Sequence, residues 1–205
     1  MNKAVLRIVT LPERFRNLIL FLIYHFDSWH ISPAGNRVYP EAIIRFVREN
    51  YPLDDICEIG CGLGDTISKL AGRNMIGLDN DENVLKAASF LHRRIHNLKF
   101  SKFIFPLSSL EGKYDLIMAV NWIHSFNEQI LTNKLLQYFR ENLKEKGLLI
   151  VDSIDYPGYE YCHDFNRIFA GIDCTITEIG KFQSSRKVYA IKKSNHENLF
   201  SAAPG

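Results

Sequence analysis

Apolar residues along this chain fall into two rhythms, short continuous runs and stretches where they recur every three or four positions. Ile43, Ile44, Phe46 and Val47 lie on one stripe of a helix that ends near Tyr51-Pro52, because the residue before a proline is pushed out of the helical region. Asp55 to Ile59 reads as a strand, followed by a glycine cluster and a helix from about Asp65 to Ala71. Asn74 to Leu78 is a strand, Glu82 to His96 a helix and Lys99 to Phe105 a third strand. Tyr114 to Val120 is apolar enough to be covered on both faces. A helix from about Glu128 to Leu143 follows, then a turn at Lys146-Gly147 into the strand Leu148 to Asp152.

Strands alternating with helices predict a parallel sheet with helices on both faces and right-handed crossovers. The end of the chain breaks that order. Cys174 to Ile179 and Val188 to Lys192 alternate in strand fashion around the polar turn Lys181 to Lys187. Strands so close pair antiparallel, since a parallel return needs a crossover of a dozen residues or more. The expected fold is α/β: a three-layer, doubly wound, mainly parallel seven-stranded sheet with a C-terminal antiparallel hairpin. Residues 1–53 are expected to form an N-terminal helical cap, 54–193 the core and 194–205 a loose tail with little to bury.

Composition narrows the class. A chain of 205 residues with 46% hydrophobic content can bury a real core, which excludes a disordered chain. A net charge of +2 lacks the basic excess of a dedicated nucleic-acid binder. Cys57, Cys61, Cys162 and Cys174 are too few for a disulfide scaffold, and with no C-x-x-C spacing no structural metal site is expected. The apolar run Leu18 to Phe26 is too short to cross a bilayer and no secretory cleavage pattern follows, so a cytoplasmic protein is expected.

The chemistry concentrates in Glu58-Ile59-Gly60-Cys61-Gly62-Leu63-Gly64-Asp65. A strand ending in an acid, followed by glycines at alternate positions, lets a ligand lie against bare backbone. The dinucleotide fingerprint is G-x-G-x-x-G, whereas the register here is G-x-G-x-G with Asp65 in the sixth place. Glu58 and Asp65 would repel a pyrophosphate but suit a ligand with an amine and a sulfonium, and Asp79, ending the second strand, suits a ribose diol. A nicotinamide oxidoreductase therefore ranks low.

These motifs resemble the class I methyltransferases that use S-adenosylmethionine. The resemblance runs from about Ile56 to Lys193: the E-x-G-x-G-x-G loop, the G-x-D after the second strand, YDLIMAVNWIH, the K-x-G-L-L-I-V-D strand and the closing hairpin. It implies that Gly60, Cys61, Gly62 and Gly64 form the cofactor loop, that Glu58 holds the ammonium directly or through water, and that Asp79 holds the ribose hydroxyls. Asn80 would lie over the adenine, and Asn121 beside the cofactor after the fourth strand. The family often places an acid after the third strand for the adenine amino group. This chain has Phe105-Pro106-Leu107-Ser108-Ser109-Leu110 there, with Ser108 or a main-chain carbonyl in that role.

The methyl acceptor is expected at the carboxyl ends of the strands. His124 and His30 are the candidate catalytic bases, each set against a plain packing role, and His25 and Tyr39 are further candidates to face the acceptor. Trp122 fits either a pocket wall or the core, and Asp152 either an orienting acid or a solvated strand end. Asn121 is not followed by the Pro-Pro-aromatic signature of base-directed amino methylation. The leading expectation is transfer to a small-molecule hydroxyl, such as that of a sugar. Alternatives are an RNA or protein acceptor recognised through Arg93, Arg94, Lys99, Lys102, Lys181, Arg186 and Lys187, a non-catalytic cofactor-binding module, and a peripheral membrane contact through residues 14–26.

Overall fold

The computed structural model describes residues 12–32 and 37–194. The chain enters through helix α1 (Glu13–Tyr24), a 3-10 turn (Ser28–Ile31) and helix α2 (Val38–Asn50). Then come β1 (Asp55–Ile59), β2 (Asn74–Asp79), α3 (Glu82–Leu91), β3 (Leu98–Lys102) and β4 (Tyr114–Ala119). Helix α4 (Glu128–Gln137), β5 (Leu143–Ile154), the short α5 (Phe165–Ile168), β6 (Cys174–Phe182) and β7 (Arg186–Lys193) complete it. The seven strands lie in the order β3-β2-β1-β4-β5-β7-β6. All pairs from β3 to β5 are parallel, and β7 runs antiparallel to both β5 and β6. The predicted fold class is the one observed.

The period-two pattern sorts the strand residues onto two faces. Ile56, Leu116, Met118, Leu148 and Ile150 face α2, packing against Ile43, Ile44 and Val47. Cys57, Ile59, Ile117, Ala119, Leu149 and Val151 face the other way, onto Leu131, Leu135 and Phe165. A third cluster joins Leu20 and Phe26 from the N-terminal segment to Leu63 of the glycine loop and Val84 and Leu85 of α3. That contact lays the N-terminal segment over the carboxyl ends of the strands. Helix starts follow the side-chain signals: Asp81 accepts from the N–H groups of Asn83 and Val84, and Asn127 from that of Ile130.

Several expected boundaries differ: the third strand ends at Lys102 rather than Phe105, and β5 runs on past Asp152 to Ile154. In place of a helix from Asp65 to Ala71 there is only a 3-10 turn at Ile67–Lys69. The Ile67 N–H is drawn to Glu58 and Leu70 is already extended, because Gly72 must pass close over Ile56 before β2 begins. The helix from Glu82 stops at Leu91, where His92 turns to bond the Leu63 carbonyl. The α4 segment opens into a wider π-type turn at Tyr138–Asn142. Strand β5 then starts at Leu143, with the Lys146-Gly147 turn appearing as a register shift against β4 and Lys146 at positive φ. The expected tail lies, but for Ser194, outside the described residues. No described helix is long and apolar enough to cross a membrane.

Candidate active site

The sheet order reverses between β1 and β4, so the crevice beyond their carboxyl ends is the natural ligand position. The glycine loop occupies it. The N–H groups of Gly60 and Cys61 both donate to the Leu78 carbonyl, at 2.7 and 2.9 Å, tying the loop to β2. The Gly62 N–H donates to Asp79 Oδ2 at 2.8 Å. Gly60 and Gly62 hold positive φ, and side chains there would collide: a Cβ on Gly60 would lie 2.2 Å from Trp122 Cδ1, and one on Gly62 2.9 Å from His30 Nδ1. Gly64 has a different task. Its Cα faces Phe100 and His92, so it serves packing beneath the loop rather than the cavity above.

Two cavities meet at this loop, and a third adjoins the first. The smallest, about 60 Å³, lies between Glu58, Gly60, Cys61, Gly62 and Asp65, with His30, Arg37, Tyr39 and Asn121 also in its wall. The largest, about 560 Å³, lies between Asp79, Asn80 and Asp81 on one side and Phe103, Phe105, Trp122 and Phe126 on the other. Phe105 packs edge-on against Trp122 and Phe126, with ring centroids 4.9 and 4.6 Å apart, while the Trp122 indole donates to the Ile59 carbonyl at 2.6 Å. The third, about 300 Å³, opens between Arg37, Tyr39, Tyr159 and the hairpin residues Gln183 and Ser184. Trp29, Arg37, Tyr39 and Asn121 line both the first and the third.

The electrostatics are lopsided. Glu58 is buried, its Oε2 accepts from the Ile67 N–H at 3.0 Å and Thr66 also bonds it. Burial nonetheless pushes its carboxyl up to about 8. Asp79 accepts from the Gly62 and Asp81 N–H groups, two of the roughly four lone-pair sites a carboxylate offers. Among the described residues no lysine or arginine lines the largest cavity, which carries Asp27, Asp79 and Asp81.

His30 is buried against the glycine loop, its ring 3.9 Å from that of Trp29, and it lines the first two cavities. Burial pulls its pKa down, against the opposing pull of Asp79 and Asp81. His124 sits elsewhere. It is fully buried, lines none of the three cavities and bonds Asp152 Oδ2 through Nε2 at 3.2 Å. Burial drops its pKa to about 3, so it is neutral, with Nδ1 lacking a partner. Its place is the packed position beneath the cleft.

Asp152 is not a solvated strand end. Wholly buried, it pairs with Arg186 and accepts from the Asn121 N–H at 2.9 Å. Asn121 reaches the cavity wall, but its Oδ1 already accepts from Arg186 Nη2 at 2.8 Å. Ser108 is not brought to the cavities; its hydroxyl accepts from the Ile104 N–H at 2.9 Å within its own turn. Asn80 is exposed on the rim of the largest cavity, Cys61 lines the smallest, and His25 lies exposed after α1, lining none of the three.

The expected basic surface does not form one patch. Lys99 and Lys102 lie on β3 and Lys181, Arg186 and Lys187 on the β6–β7 hairpin, at opposite edges of the sheet, and Arg186 is buried. On α1, Phe15, Leu18, Leu22 and Ile23 are exposed, whereas Arg16 turns inward to Asp65. Sequence reasoning missed Trp29 and Arg37 as cavity walls, and Phe103, Phe105 and Phe126 as the apolar side of the largest cavity. Aromatic residues at alternate positions 103 and 105 were the available signal.

A reversed α/β sheet with a glycine loop framed by acids is arranged for a cationic nucleoside. The family described as "Methyltransferase domain" matches residues 52–201, and the chain belongs to it: this is a class I S-adenosylmethionine-dependent methyltransferase. In fold it is similar to the N-methyltransferase NodS of Bradyrhizobium japonicum WM9 in complex with S-adenosyl-L-homocysteine (TM-score 0.65, 13% identity, 94% of this chain and 98% of that one). It is also similar to magnesium protoporphyrin IX methyltransferase ChlM of Synechocystis PCC 6803 (0.63, 15%, 90% and 99%). A TehB-like methyltransferase of Corynebacterium glutamicum gives 0.60 at 20% identity, over 79% of this chain and 91% of that one. No curated protein sequence matches the chain.

Proposed function

We propose that this methyltransferase transfers a methyl group to a hydroxyl of a small molecule, a sugar or other metabolite, which enters beside the glycine loop. One observation carries this reading. The glycine-loop cavity adjoins, across walls shared at Trp29, Arg37, Tyr39 and Asn121, a compartment of about 300 Å³, within the size range of small-ligand pockets. An RNA acceptor would call for one continuous basic surface, and its candidates stand at opposite edges of the sheet.

Bound S-adenosylmethionine supplies a methyl carbon activated by its sulfonium. Glu58 takes the ammonium, Asp79 accepts from the ribose hydroxyls through its remaining lone pairs, and Asn80 with Phe103, Phe105, Trp122 and Phe126 receives the adenine. Gly60, Cys61 and Gly62 present bare main chain. The protein then aligns the acceptor and excludes water. His30, neutral at physiological pH because burial lowers its pKa, takes the acceptor hydroxyl's proton at Nδ1, the ring atom facing Gly62.

The test is incubation with methyl-labelled S-adenosylmethionine and fractionated extract. Label in a small-molecule fraction supports the reading; label confined to RNA or protein overturns the acceptor class, and cofactor binding with no transfer points to a non-catalytic module. His30→Ala is expected to lower kcat about 100-fold or more while S-adenosylhomocysteine still binds. Full turnover in that variant would remove His30 as the base.

A further inference from the structure

The third cavity differs in charge from the two beside it. The glycine-loop side carries Glu58, Asp65, Asp79 and Asp81, whereas no carboxylate among the described residues lines the third cavity, which carries Arg186 and shares Arg37 with the first. The two arginines are not equivalent. Arg186 is buried, its Nη1 pairs with Asp152, its Nη2 donates to Asn121, and its guanidinium lies 4.7 Å from the centre of the Tyr39 ring. That charge is compensated within the protein. Arg37 donates through Nη2 to the Ser32 carbonyl at 3.3 Å and makes no ion pair within 4 Å among the described residues; it stands in the wall shared by the glycine-loop cavity, where its charge is felt by Asp65, and the third cavity.

Four aromatic side chains, Trp29, Tyr39, Tyr159 and Phe182, line it beside two aliphatic and several neutral polar residues. Aromatic walls beside a guanidinium that no carboxylate contacts within 4 Å among the described residues favour a planar body bearing an oxyanion, because guanidinium nitrogens match carboxylate or phosphate oxygens. The volume of about 300 Å³ suits one or two rings rather than a polymer segment.

We infer that the methyl acceptor is a small aromatic molecule carrying a carboxylate or phosphate, with the oxyanion held by Arg37 in the hairpin-side cavity and the nucleophile directed toward the glycine loop. This rests on the proposed function and narrows its acceptor to one chemical class. The cleft then separates charge along its length. Acids near the loop receive the cationic cofactor, and the cationic end orients an anionic acceptor and disfavours amines.

The test uses the full chain. S-adenosylhomocysteine is titrated first by calorimetry; failure to bind would sink the proposed function itself, separately from this inference. With that ligand saturating, four probes sharing a 4-hydroxyphenyl body are compared: 4-hydroxybenzoate, 4-hydroxyphenyl phosphate, 4-hydroxybenzamide and 4-hydroxybenzylamine. At least one anion is expected to bind about tenfold or more tighter than the amide, with the amine weakest, as one charge-assisted contact provides. The tighter anion identifies the oxyanion as carboxylate or phosphate. Arg37→Gln is expected to reduce that advantage to less than about threefold, and Arg37→Lys to keep part of it. Binding of S-adenosylhomocysteine to each variant reports that the fold is intact. The inference is overturned if no probe binds, if the amide or amine equals the anions, or if the preference survives in Arg37→Gln. It is equally overturned if Arg37→Gln weakens S-adenosylhomocysteine and leaves the probe preference untouched, since Arg37 would then serve the cofactor.

Discussion

Replacing Glu58 by glutamine is expected to stabilise the empty protein and weaken its cofactor site, opposite effects from one buried carboxyl. Glu58 keeps its proton to about pH 8 in the folded chain, against 4.5 for an unperturbed glutamate, because its site is shielded from water. The unfolded chain loses that proton first as pH rises. Stability is therefore fully present below pH 4.5 and is lost progressively up to pH 8, by roughly 5 kcal/mol at most. Glutamine never ionises, and its carbonyl can still accept from the Ile67 N–H. Urea denaturation at pH 5 and pH 8 is expected to show Glu58→Gln gaining stability over the parent mainly at the higher pH.

Binding runs the other way. An ammonium pairs with the ionised carboxylate, whose fraction rises about 50-fold between pH 6 and pH 8 for a group titrating near 8. Calorimetry with S-adenosylhomocysteine is expected to show tightening over that interval with proton release, and both effects are expected to vanish in Glu58→Gln. If the variant bound as tightly as the parent at pH 8, with the same pH slope, Glu58 would not hold the ammonium.

Three further substitutions probe other parts of the account. Gly62→Ala places a Cβ 2.9 Å from His30 Nδ1 at a positive φ, so S-adenosylhomocysteine binding by calorimetry is expected to weaken by at least about tenfold, with about 1–2 kcal/mol of backbone cost in urea melts. Asp152→Asn leaves the Arg186 guanidinium buried without its counter-charge and is expected to cost about 3–5 kcal/mol in urea; a loss under about 1 kcal/mol would mean the pair is not held as described. His124 titrates near 3 when folded and 6.5 when unfolded, so the folded state loses stability as pH falls below 6.5, by up to roughly 5 kcal/mol near pH 3. His124→Gln is expected to flatten that acid limb in stability measured against pH, and an unchanged limb would place its cause elsewhere, with His92, held down to about 4, the next group to test.

The strands were legible because Ile56–Ile59, Leu116–Ala119 and Leu148–Val151 each feed two apolar faces, giving apolar runs too short for a helix and bounded by turn residues. The hairpin was legible because two alternating runs lay too close for a crossover. Glu58, the glycines and Asp79 were readable because their local order carries the chemistry. What escaped depends on residues distant in the chain. Asp152 looked like a free strand end until β7 brought Arg186 against it, 34 positions away. His124 looked catalytic because it follows β4, yet the turn at Ile123–Ser125 rotates it under the cleft toward Asp152. Ser108 looked placed for the adenine, but its own turn consumes its hydroxyl, while Phe103 and Phe105, whose alternate spacing was the one local sign, reach the cavity. Arg37 carries no local pattern at all; its meaning comes from the hairpin that faces it.

The most direct measurement is a paired titration of the purified chain with S-adenosylhomocysteine and with a nicotinamide dinucleotide. Saturable one-to-one uptake of the first and no uptake of the second is the predicted result. Tight binding of the dinucleotide with indifference to S-adenosylhomocysteine would contradict the account at its root.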